Sequence, residues 1–166
     1  MRHFTDQELH LDAQRPYGRL YPFYWKVRSE TLLPACSKEV WVKLTHFADY
    51  EWNHFTPRIR TELREGAAVH LEVHGLSRQP MQRVEWLHSL VPERRLCWGM
   101  SLGPFLRANR SQWLIPQSDN TTLYRTEDEI SGILAPIVRL LYQRKMQQGF
   151  DLVCSCLGKL YGTDNA

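Results

Sequence analysis

One carboxylate leads among the residues that could do chemistry. Asp128 lies in the alternating run Thr121–Ser131, where Arg125, Glu127 and Glu129 share one parity and Thr122, Tyr124, Thr126, Asp128 and Ile130 share the other. Successive side chains of a strand point to opposite faces. The charged parity belongs in solvent, so Asp128 is expected to face inward beside Tyr124 and Thr126. A carboxylate turned into an apolar interior is costly unless it is hydrogen-bonded. Two uses follow. In one, Asp128 caps the helix downstream or bonds Ser111 or a water, a structural role. In the other it anchors a ligand, or acts as a base with a raised pKa, in a mostly apolar pocket. Asp128 and Tyr124 are the candidates for catalysis, and neither has an assured partner.

Other chemistry finds less support. His70 and His74 sit on one parity of the run Val69–His74. On a strand they are about 13 Å apart at 3.3 Å per residue, too far to share an ion. His46 and His54 have no fixed partners, and no metal or cofactor is expected. The cysteines, Cys36, Cys97, Cys154 and Cys156, form no Cys-x-x-Cys pair. Cys154 and Cys156 lie about 200° apart around a helix. Reduced, buried thiols fit that pattern. Serine-nucleophile elbows, Walker loops and dinucleotide glycine patterns are not found. The net charge is +3, and arginines fall in small groups such as Arg58, Arg60 and Arg64 rather than in a block. Nucleic-acid binding is not expected from that distribution. With no run of 18 apolar residues there is no transmembrane segment. The start, Met1-Arg2-His3-Phe4, lacks the apolar core of a secretory signal. A cytoplasmic protein is expected.

The elements that must position Asp128 read clearly. Thr121–Ser131 pairs back on Ala108–Pro116 as the last hairpin. A two-residue turn at Asp119-Asn120, both tolerant of positive φ, turns Trp113 and Ile115 inward. Trp113 then stands opposite Thr126, Ser111 opposite Asp128, and Arg110 meets Glu129 outside. This register is expected because it buries the apolar parity. A three-residue loop would shift it by one and place Arg110 and Gln112 inside, with Arg110 next to Asp128.

The stretch Ile133–Tyr161 follows, with Pro136 in its first turn and apolar residues at Leu134, Ile137, Val138, Leu141, Phe150, Val153, Leu157 and Leu160. Steps of three and four make this one helical stripe. The helix would be roughly 40 Å long at 1.5 Å per residue. Before it, Phe23–Leu33 reads as a strand. Ser37 to about His46 is a helix, and Asp49–His54 a second short helix or turn. About six strands follow from Pro57 to Ser131. Residues 1–22 read as an N-terminal arm. Thr5-Asp6-Gln7-Glu8 forms a capping box for a short helix over Asp6–Ala13, either a tether or a lid. Residues 23–166 then form one domain of class α+β: a curved antiparallel sheet of about seven strands around a long C-terminal helix.

Certain strings in this order resemble a known group. They are Leu33-Pro34-Ala35, Glu39-Val40-Trp41, Phe47, Tyr50 and Trp52-Asn53, Glu65-Gly66, and Leu90-Val91-Pro92 with Arg94-Arg95-Leu96 and Trp98. Thr121–Tyr124, Glu127-Asp128-Glu129 and Gly132 complete the set. Together they resemble the START-related, Bet v 1-like superfamily (SRPBCC), and in it the polyketide cyclase/dehydrase and lipid-transport branch. The resemblance covers about Trp25 to Gly162 and implies a helix-grip fold over a hydrophobic cavity. It implies no single activity, since fold does not settle function. Members of that branch often carry a histidine two residues before the acid, and here that position is Thr126.

The expected function is binding or transport of a hydrophobic small molecule, a lipid, isoprenoid or polyketide-like compound. Leu71, Trp98, Trp113, Tyr124, Ile137 and Leu141 would form the walls, with Thr126 and Asp128 as polar anchors. The alternatives are a cyclase, dehydratase or hydrolase on the same cavity, and a protein-interaction module resembling chaperone activators. The last would have a filled interior and an exposed apolar patch.

Overall fold

The computed structural model describes residues 23–117 and 120–162. The arm and its short helix over Asp6–Ala13 lie outside these residues. The chain runs β1 (Tyr24–Leu33), α1 (Ser37–Thr45), β2 (Arg58–Arg60), β3 (Ala68–Val73), β4 (Met81–Val91), β5 (Arg95–Ser101), β6 (Arg107–Pro116), β7 (Thr122–Ser131) and α2 (Ala135–Leu160). Asp49–His54, expected as a second short helix or turn, is a run of turns, and the helical piece beside it is a three-residue 3-10 turn, Phe47–Asp49. It is too short to bury a face and instead sets Phe47, Tyr50 and Trp52 in a row of tilted ring contacts.

The seven strands form one antiparallel sheet in the order β1-β7-β6-β5-β4-β3-β2. Each hairpin follows the last, except that β1 crosses to pair with β7, Trp25 opposite Ile130 and Val27 opposite Asp128. The sheet curves around α2 as a helix-grip fold. Alternation decides which side is buried. On β3, Val69, Leu71 and Val73 are buried. On β7, Thr122, Tyr124, Thr126, Asp128 and Ile130 are buried, and each residue between them is partly open. A register shift between Leu87 and Ser89 keeps Leu87 and Leu90 on the inner side of β4.

The helix is pinned at its start. Trp25 Nε1 on β1 donates to the Ala135 carbonyl at 2.8 Å. Trp25→Phe keeps most of the buried ring and removes that bond. The expected loss is about 1 kcal/mol, read from the urea midpoint. A loss near zero would mean the bond adds nothing to holding α2.

The helix buries Ala135, Met146, Gly149, Phe150, Val153, Cys154 and Leu157, with Val138 and Tyr142 partly covered. Ile137 and Leu141, expected as cavity walls, are 56% and 58% exposed, and Leu140 is 87% exposed. The first turns are apolar nearly all round, so periodicity there fits two phases. The residues that tie the phase down are Phe150, Val153 and Leu157, further along. No helix among the described residues is long and apolar enough to cross a membrane.

Candidate functional site

The last hairpin takes the three-residue loop. Pro116 pairs with Thr122, and the Gln117 N–H donates to the Thr121 carbonyl at 2.9 Å. Residues 118–120 are left between them. Asn120 has φ 59°, the left-handed conformation that closes such loops. The register therefore differs by one from the expected pairing. Arg110 stands opposite Asp128, Gln112 opposite Thr126 and Leu114 opposite Tyr124. Trp113 pairs with Arg125 on the outer face and packs against the Arg95 guanidinium, 4.4 Å from the ring centre. Trp113 is thus no cavity wall. Its cation–π contact takes up the ring outside, and Leu114 fills the inner position.

The inner face carries a polar cluster in an apolar surround. The Arg110 guanidinium lies 3.7 Å from Asp128 Oδ2, with the two side chains 12% and 7% exposed. That distance is an ion pair, not a hydrogen bond. Arg110 Nη1 donates to Thr56 Oγ1 at 3.4 Å. Its guanidinium also sits over the Phe150 and Phe55 rings, 4.8 and 5.3 Å from their centres. Tyr124 Oη donates to Gln112 Oε1 at 2.8 Å. Three buried polar atoms here have no hydrogen-bond partner: Arg110 Nε, Asp128 Oδ1 and Trp98 Nε1. Trp98 is the register partner of Arg110 on β5. Trp98, Arg110 and Asp128 therefore form one row across three strands.

Burial sets the electrostatics. It pushes Asp128 up from 3.8 to about 7, against the pull of Arg110 and with a further push from Glu85 and Glu129. Glu85, also raised by burial, is held back by Arg110 and Arg83. One guanidinium thus faces two reluctant carboxyls. Burial also holds the Tyr124 hydroxyl well above its usual range.

The Asp128 shift has a sign that can be tested. A folded pKa above the unfolded one favours the protonated acid in the fold. Its stabilising contribution is full below about pH 4 and is lost as pH rises through about 7. The slope reaches up to about 1.4 kcal/mol per pH unit in that window. Asp128→Asn carries no such proton, so the variant should show a flatter pH dependence of its urea midpoint. Identical slopes in both proteins would mean Asp128 is not the group responsible.

The space between this row and α2 is small. A cavity of about 10 Å³ is lined by Trp98, Arg110, Gln112, Tyr124, Thr126 and Phe150, among others. That is room for about one water. Phe55 lines it too, with its ring against that of Phe150. It reaches α2 because Gly149 leaves a gap: a Cβ there would lie 2.3 Å from the ring. Of the expected site residues, Leu71, Trp98, Tyr124, Thr126 and Asp128 stand on the buried inner face. Trp113, Ile137 and Leu141 do not. Arg110, Gln112 and Glu85 were not among them, although the shifted hairpin register brings the first two in. Glu85 shares a parity with Met81, Arg83 and Leu87, whereas the apolar Val84 and Trp86 of the other parity lie exposed. The pattern of β4 therefore points the wrong way.

No protein-family model matches the chain, and no curated protein matches it by sequence. Solved structures match it by shape. A protein from Thermus thermophilus aligns with TM-score 0.62 at 16% identity, over 86% of this chain and 100% of that one. A Staphylococcus aureus protein of unknown function aligns with TM-score 0.62 at 14% identity, over 84% and 94%. Norcoclaurine synthase from Thalictrum flavum, in a complex with dopamine and hydroxybenzaldehyde, aligns with TM-score 0.61 at 10% identity, over 86% and 89%. At such identities the likeness concerns the fold alone.

Proposed function

We propose that the chain binds an amphipathic small molecule between the sheet and α2. The ligand has an apolar body and a head rich in hydrogen-bond acceptors, and Arg110, Trp98 and Asp128 take the head. The observation that carries this reading is the row of unpartnered polar atoms. A buried donor or acceptor without a partner costs about 1–3 kcal/mol. Arg110 Nε and Trp98 Nε1 are two such donors at one small cavity. A carboxylate or carbonyl oxygen placed there would satisfy them. Asp128, titrating near neutrality, can donate as an acid or accept as a carboxylate. The resemblance to the lipid-transport and polyketide cyclase/dehydrase branch points to the same class of ligand. The neighbour of this fold that holds dopamine and hydroxybenzaldehyde adds general support.

A cavity of one water's size must open to admit such a molecule. The opening would lie along α2 beyond its pinned first residue, where its side chains are buried least. Between Ala135 and Met146 no helix residue is fully buried, and the apolar ones packed on the core are the partly buried Val138 and Tyr142. A catalytic use of the site is the second reading. A carboxyl near pH 7 beside a fixed guanidinium would suit proton transfer in a cyclase or dehydratase. Tyr124, already donating to Gln112, is poorly placed to share that work.

Native mass spectrometry tests the binding reading, on protein purified without detergent and then incubated with fatty acids, isoprenoid acids and aromatic polyketides. A discrete adduct is expected, and Trp98→Phe, which removes one N–H, should weaken it by roughly three- to ten-fold. A clean unliganded mass across the panel would sink the reading. Turnover lost in Asp128→Asn with binding kept would favour the enzyme.

A further inference from the structure

The outward face at the start of α2 is apolar where a helix lying on a sheet should be polar. Ile133, Ile137, Leu140 and Leu141 fall within about 100° of one another around the helix, and Arg144 follows in the same sector. All four apolar side chains are more than half exposed. A second element extends the patch. Leu102 and Phe105, each 55% exposed, sit in the loop between β5 and β6. The backbone holds the two together: the Ile133 N–H donates to the Pro104 carbonyl and the Leu134 N–H to the Phe105 carbonyl. The β5–β6 loop and the start of α2 thus present one exposed apolar patch built from two tied segments. A patch of this kind marks an interaction site.

Charge indicates the partner. Residues 102–107 and 133–150 contain Arg107, Arg139, Arg144 and Lys145, and no aspartate or glutamate. The nearby Glu129 on the outer face accepts a hydrogen bond from Tyr24. A helix with an outward apolar sector and basic flanks suits the boundary between acyl chains and anionic headgroups. The geometry points to a docking surface for an anionic bilayer, with Phe105, Ile137 and Leu140 entering the acyl boundary and Arg144 meeting phosphate. This site lies on the opposite side of α2 from the polar row and does not depend on it.

Vesicle co-sedimentation of the full chain tests the surface. The wild-type protein should partition onto phosphatidylcholine vesicles containing phosphatidylserine, and about ten-fold less onto phosphatidylcholine alone or in 0.5 M salt. Ile137→Glu with Leu140→Glu should reduce partition at least ten-fold, and Arg144→Glu should reduce it on the anionic vesicles only. Both sites are exposed, and an unchanged thermal melt checks that the fold is kept. Wild-type protein that stays in the supernatant would overturn the proposal, as would equal binding to neutral vesicles. A dimer in sedimentation that the double variant converts to monomer would also overturn it, since the patch would then be an interface between copies.

Discussion

Arg110→Leu is expected to cost about 3–5 kcal/mol of folding stability at pH 8, and clearly less at pH 5.5. At pH 8 the variant leaves Asp128 and Glu85 as buried carboxylates without the guanidinium that offsets them. Both already resist ionisation through burial. Removing Arg110 takes away the opposing pull, so both protonate more readily. Lowering the pH supplies those protons and removes the unpaired charge. What remains at pH 5.5 is the lost contact with Phe55, Phe150 and Thr56. Urea midpoints at the two pH values decide the matter. Equal losses at both would mean that Arg110 acts through packing alone and that the polar row is not an electrostatic unit.

Gly99→Ala is expected to destabilise by about 3 kcal/mol or more, at the upper end of what overpacking costs. A Cβ at Gly99 would lie 2.1 Å from the Ala108 carbonyl oxygen and 2.9 Å from Asn109 Cα. Both are backbone atoms of β6, the strand that carries Arg110. Relief requires β5 and β6 to part where Gly99 faces Asn109. Gly149→Ala makes a useful contrast. There the obstacle is the ring of Phe55, a side chain that can rotate, and alanine regains about 1 kcal/mol of helix propensity. Thermal melts of the two variants should therefore separate, with Gly99→Ala melting lower. The opposite order would show that β5 and β6 yield more easily than Phe55. If Arg110 holds a ligand as proposed, the Gly99→Ala loss should also appear in binding, because moving β6 displaces Arg110.

The fold was legible because its signals are local and repeated. Alternation marks β3 and β7 without ambiguity: one parity of Val69–Val73 is wholly aliphatic, and one parity of Thr122–Ser131 is mostly charged. The long helix and its pairing with a curved sheet follow from length and order. The site was legible in half. The inward Asp128, Thr126 and Tyr124 could be read from β7 alone, since charged neighbours fix its phase. Its partner strand could not. In β6, Ala108, Arg110, Gln112 and Leu114 compete with Asn109, Ser111, Trp113 and Ile115, and the second set looks more apolar. The outcome turned on one residue of loop length and on the left-handed Asn120, which sequence does not fix. The helix phase failed for a related reason. Ile133, Leu134, Ile137, Leu140 and Leu141 contain more apolar positions than one buried stripe needs. Extra hydrophobicity left at the surface misleads a rule that assigns every apolar residue to the core.

The crossing of β1 to β7 has a consequence for synthesis. Tyr24 pairs with Ser131, more than a hundred residues later. At about 5–20 residues per second, β1 leaves the ribosome roughly 5–20 s before its partner exists. The strands β2 to β6 can zip in order as successive hairpins, but none of them pairs with β1. During that interval Trp25, Val27 and Leu33 belong to an unpaired edge with nothing to cover them. Closure waits for β7, and α2, which follows it, seals the inner face last. A chain interrupted anywhere before Thr122 therefore carries a hydrophobic strand that no other part of it can satisfy.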